Sequence, residues 1–174
     1  MESNNQNIPG VVEWIGIREK SGSIKSVQHV LAIEDLGLKG DKITLKGSKK
    51  RQVTLMQKEH ISVILSLAGE KDQLKIDGIQ YYFKRNLLVS KCNIQNLKGR
   101  FFSIGGAKFY GTGDCKPCKK IENLLGKKML DAMQGMGGIT ASVIQSGAIK
   151  INDNLNMEIN KWERITVIKL MNLF

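Results

Sequence analysis

Apolar and polar positions alternate with a period of two through most of the chain. Residues 11–17 (VVEWIGI), 26–33 (SVQHVLAI) and 51–56 (RQVTLM) read as strands. So do residues 86–90 (NLLVS), 100–105 (RFFSIG) and 107–112 (AKFYGT), the last two forming a hairpin across Gly105-Gly106. Further strand patterns follow in ITASVIQSG, AIKI, NLNMEI and, near the C-terminus, RITVIKL. The period changes to that of a helix in only two places. In QKEHISVILSLAG, residues Ile61, Ile64, Leu65 and Ala68 recur at i, i+3, i+4, i+7, and Gly69 supplies a C-cap. In KKIENLLGKKMLDAMQG, a stripe of Ile121, Leu124, Leu125, Met129, Ala132 and Met133 is weakened or split by Gly126. Strands dominate, so the expected fold is mainly β: a barrel or sandwich with two or three helices.

The length of 174 residues predicts one domain, residues 1–174. With 41% hydrophobic residues the chain can bury a core in the manner of globular proteins. The polar start MESNNQNIPG lacks a signal-peptide pattern, and no apolar run reaches the about 18 residues of a membrane span. A cytoplasmic location with no membrane partner is the expectation. A formal charge of +11 favours anionic partners, with a diffuse positive surface that serves no function as the plain alternative. The lysines are spread along the chain and aromatics are few, so nucleic acid ranks below a small anionic ligand.

Cys92, Cys115 and Cys118 are too few, and odd in number, for a disulfide framework. Cys115 and Cys118 form a Cys-x-x-Cys in GTGDCKPCKKIENLLG. Structural zinc needs a second knuckle, and Cys92, His29 and His60 lack ligand spacing. A dithiol centre of the thioredoxin type needs a downstream proline, and the only prolines are Pro9 and Pro117. A single working thiolate remains. Cys118 would enter the first turn of a helix starting near Lys119, where N–H groups and Lys116, Lys119 and Lys120 favour negative charge. Thiols that merely fill space are the plain alternative. His60 falls beside the apolar stripe and reads as structural.

The succession GLKGDK, RQVTLMQKEH, KRNLLVS, LKGRFFSIGGAKFYGTGDCKPCKKIE and GMGGITASVIQSGAIKINDNL resembles the MOSC domain, named for the C-terminal domain of molybdenum cofactor sulfurases. The resemblance runs over about residues 26–155 and is nearest to small bacterial stand-alone members. It implies a MOSC-type β-barrel that binds the molybdenum cofactor (molybdopterin), an anionic pterin, with the post-proline Cys118 as metal ligand and catalytic residue. It further implies reduction of N-hydroxylated bases or amidoximes. The alternative is a non-catalytic carrier bearing a persulfide on Cys118, and a basic nucleic-acid module ranks last. The matching cofactor positions are Arg51 and Gln52, Arg85 and Asn86, Gly40 and Asp41, Lys119, and Gly137 and Gly138. Guanidinium groups suit phosphate and pterin carbonyls. Gln52 and Asn86 suit pterin edges, and the glycines suit turns or close backbone approach. No dinucleotide or P-loop motif occurs, so turnover would need an electron-donor or sulfur-donor protein.

Overall fold

The computed structural model describes residues 9–45, 47–69, 78 and 80–157. Eleven strands and four helices are formed among them. Strands β1 (Gly10–Arg18), β2 (Ile24–Val27), β3 (His29–Ile33) and β4 (Gly37–Leu38) come first. Strand β5 (Val53–Gln57) leads through α1 (Lys58–Ala68) and α2 (Gln80–Phe83) to β6 (Leu87–Ser90). The hairpin β7 (Phe101–Ile104) and β8 (Ala107–Asp114) precedes α3 (Lys119–Leu125) and α4 (Lys127–Ala132). Strands β9 (Ile139–Gln145), β10 (Gly147–Lys150) and β11 (Asn154–Met157) complete the described chain.

Strands β11, β7, β8, β9, β5, β6 and β1 follow one another by hydrogen bonding, and β11 also pairs with β1. The sheet therefore closes into a seven-stranded barrel, which leaves no raw edge within the ring. β2 extends it beyond β1, while β10, β3 and β4 form a second small sheet. All ladders between named strands are antiparallel except β5–β6. That parallel pair needs a crossover connection, and the α1–α2 segment supplies it.

Two cores result. Val12, Ile15, Leu55, Leu87, Phe102 and Phe109 belong to the core of the barrel, and Val30, Leu38 and Ile149 of the small sheet join it. A second core lies between helices and sheet, where Trp14, Met56 and Leu88 meet Ile61, Ile64, Phe83, Ile121 and Met133. β5 and β6 are thus covered on both sides, and VTLM and LLVS read as unbroken buried runs. The α1 stripe and its left-handed Gly69 cap match the sequence expectation.

Three details differ from the sequence reading. Residues 26–33 are not one strand: the chain leaves the large sheet at Gln28 and enters the second sheet. β1 carries a bulge between Val12 and Trp14, which turns Trp14 toward the helices and Ile15 into the barrel. Gly126, at φ 84 and ψ 166, splits the second helical segment into α3 and α4 as its sequence allows, but Leu124 falls out of the expected stripe into solvent. With the four-residue α2, that makes four helices where two or three were expected. The expected strand RITVIKL lies outside the described residues.

Candidate functional site

The motif residues come from separate elements. Arg51 and Gln52 precede β5, and Arg85 and Asn86 lie between α2 and β6. Cys115–Cys118 follow β8, Lys119 opens α3, and Gly137 and Gly138 lead into β9. The Cys115-to-Cys118 segment has no turn or bend, and its two sulfurs have opposite settings. Cys118 is exposed at the entrance of α3, whereas Cys115 is 1% exposed. Cys92 is apart from them, packed against Gly10, and burial pushes its thiol up to about 11.

Arg85 joins the two loops. Its Nε donates to the Gly137 carbonyl at 2.8 Å, Nη1 to Phe83 at 2.9 Å and Nη2 to Cys115 at 3.2 Å. It is 5% exposed, and no carboxylate among the described residues forms an ion pair with it. Burial pushes its pKa below the usual arginine range; Arg51 and Arg18 act in the same direction, and Cys115 and Cys118 oppose them. Arg85 and Arg51 thus converge on one residue, the first donating to the Cys115 carbonyl and the second to its sulfur. Arg51 is exposed, and its Nη2 donates to Cys115 Sγ at 3.6 Å.

The tight fit of these loops accounts for the glycine pair. A Cβ on Gly137 would lie 2.5 Å from the Cys115 carbonyl oxygen, and one on Gly138 would lie 2.0 Å from that of Leu55. The close approach at both positions is therefore to protein backbone. Gly138, at φ +95, also takes a conformation that side chains rarely adopt.

The two amides are committed to the protein. Gln52 Nε2 donates to the Asp35 carbonyl, and its Oε1 accepts from Val143 N–H. Asn86 Oδ1 accepts from the Thr54 N–H and hydroxyl, while Nδ2 donates to Gly16 O and Asp41 Oδ2. Asp41 in turn takes Arg18 Nε at 3.0 Å, Arg18 Nη2 at 3.1 Å and the N–H groups of Arg18 and Ile43. Burial alone would raise the Asp41 pKa; the Arg18 hydrogen bonds and charge outweigh it and hold the carboxyl below its ordinary value. The Gly40–Asp41 turn is thereby tied to the Arg85–Asn86 segment.

Sequence reasoning missed part of this assembly. Arg18 ends an ordinary strand and gave no local signal; only Asp41, 23 residues away, reveals its role. Lys42 is half-buried, and its pKa is lowered by burial and by the charges of Lys120, Arg18 and Lys84. These cations are scattered in sequence and gathered by folding. Lys119 is exposed. A cleft of about 380 Å³ opens beside the cysteine loop, lined in part by Gln95, Lys98, Asp114, Cys115 and Gln134. Among the described residues, no three His, Cys, Asp or Glu side chains gather to hold a metal ion. Nor is any described helix long and apolar enough to cross a membrane.

The sequence profile of the MOSC domain matches residues 42–156. The chain belongs to the MOSC domain family. Solved structures share its fold at low identity. The YuaD protein from Bacillus subtilis is 17% identical at a TM-score of 0.72, covering 88% of this chain and 98% of its own. YiiM from Escherichia coli is 21% identical at 0.62, covering 87% and 71%. YiiM from Geobacillus stearothermophilus is 14% identical at 0.62, covering 87% and 76%. A comparison with curated proteins finds no match. The MOSC match begins after Gly40 and Asp41 and includes the other positions read from the sequence.

Proposed function

We propose that this MOSC protein binds the molybdenum cofactor with Cys118 as the metal ligand. One observation carries the reading. Arg85 is a buried cation with no carboxylate paired to it among the described residues, and Arg51 donates to the sulfur of the same Cys115 whose carbonyl accepts from Arg85. A desolvated cation is costly unless an anion meets it. An anionic pterin dithiolene with a terminal phosphate fits such a face, and an exposed thiol is a soft metal ligand.

The fit is uneven across the expected positions. Arg51, Lys119 and Cys118 are exposed and free to meet a ligand. Arg85 retains N–H groups beyond the three bonds it makes. Gln52, Asn86 and Asp41 serve by holding the loops that carry the cations. When bound, the cofactor would supply a metal able to reduce N-hydroxylated bases or amidoximes. The chain's own part is to bind the anion, orient it and offer the sulfur of Cys118.

Expression in a cofactor-competent host, followed by metal analysis and pterin fluorescence, tests the reading. Wild type should carry molybdenum and pterin together, and Cys118→Ala should lose the molybdenum. Equal molybdenum in both proteins overturns ligation by Cys118. The exposure of Cys118, with exposed lysines on both sides, also favours a second reading as a sulfur carrier that docks a donor protein. A persulfide adds about 32 Da to Cys118 in the mass spectrum of untreated protein, and its absence rejects that reading.

A further inference from the structure

The resemblance gives the ligand role to Cys118 and none to Cys115, yet Cys115 meets Arg51, Arg85 and Gly138. Both ends of its backbone are fixed. Its N–H donates to the Gly138 carbonyl at 2.9 Å, and its own carbonyl accepts from Arg85 at 3.2 Å. The absent Cβ of Gly137 lets that carbonyl come close. The sulfur is therefore held in place by the loops on both sides of it.

Arg51 presents the complementary case. Its backbone is anchored: the N–H donates to Ser48 Oγ at 3.1 Å, and the Ser142 hydroxyl donates to the Lys49 carbonyl at 2.6 Å. Thr112 likewise donates its hydroxyl to the Lys50 carbonyl. Its side chain is exposed, and no carboxylate among the described residues pairs with it. Arg85 repels it. An exposed arginine facing a like charge would ordinarily swing into solvent. The side-chain bond that opposes this is Nη2 to Cys115 Sγ.

We propose that Cys115 is a positioning residue, whose sulfur holds the Arg51 guanidinium toward Arg85 and the Cys118 face so that an anionic ligand meets both cations together. Sulfur suits this task better than a carboxylate. A carboxylate would orient the guanidinium and also neutralise it, whereas a thiol accepts weakly and leaves the charge for the ligand. The ligand part of this inference rests on the anion-binding function proposed above; the positioning part does not.

Two measurements separate those parts. The first is the backbone-independent order of Arg51, read by NMR relaxation at its Nε. It should be rigid in wild type and in Cys115→Ser, which keeps an acceptor, and mobile in Cys115→Ala. An Arg51 Nε as mobile in wild type as in solvated arginines overturns the inference, and that result needs no substitution to fold. The second is retained cofactor per chain after purification from a competent host. Cys115→Ala and Arg51→Gln should each lower it about three- to tenfold, and the double substitution should lower it no further than Arg51→Gln alone. Additive losses overturn the inference, as does failure of Cys115→Ser to restore retention. Wild type that retains no cofactor overturns the proposed function instead, and the relaxation measurement still decides the role of Cys115.

Discussion

Asp41, placed among the cofactor positions by resemblance, acts as a brace in the structure. Its carboxylate is consumed by Arg18, Asn86 and two backbone N–H groups. Asp41→Asn leaves Arg18 buried without its counter-charge and should lower stability by about 3 kcal/mol in urea denaturation. Because the folded pKa of Asp41 lies below its ordinary value of 3.8, its contribution is complete above that value. It is lost as pH falls from there through the folded value. The acid limb of the stability profile should therefore be shallower in Asp41→Asn than in wild type. Gln52 and Asn86 teach the same lesson. Their amide chemistry was legible, but their partners, Asp35, Val143, Thr54 and Gly16, are distant in sequence and could not be read from it.

At the scale of elements, periodicity located nearly every strand and both helical segments. It failed where a backbone event interrupts the period. The β1 bulge is a register shift against β6 and the exit at Gln28 is a change of partner, and both are set by strands distant in sequence. Gly126 did leave a mark, and the helix breaks there. The loop before β9 depends on another glycine. At Gly138 an added methyl would strike the Leu55 carbonyl in a left-handed conformation. Gly138→Ala should cost at least about 3 kcal/mol by thermal or chemical denaturation, since neither backbone can yield without parting β9 from β5. The same substitution should loosen the cysteine loop, whose Cys115 N–H binds the Gly138 carbonyl.

The whole molecule depends on one narrow seam. Among the described residues β1 and β11 pair through Gly10 with Leu155 and Val11 with Asn154, the Val12 N–H adds a bond to the Asp153 carbonyl and the Asn152 N–H one to the Val12 carbonyl, and this pairing closes the barrel. Leu155 is 3% exposed and belongs to the barrel core. Leu155→Ala should destabilise the fold by about 3 kcal/mol. Hydrogen exchange should speed first at Val12 and along β11–β7, before it reaches β5 and β9. Chain pattern alone settled the mainly β class, the α1 face and the order of the motifs, because these follow from residue spacing and local conformational preference. Tertiary structure alone decided that the ring closes, that Arg18, Lys42, Lys84 and Lys120 gather near one another, and that Cys115 lies inside while Cys118 lies outside. Those outcomes depend on long-range strand pairing, which brings together residues whose separation along the chain carries no local signal.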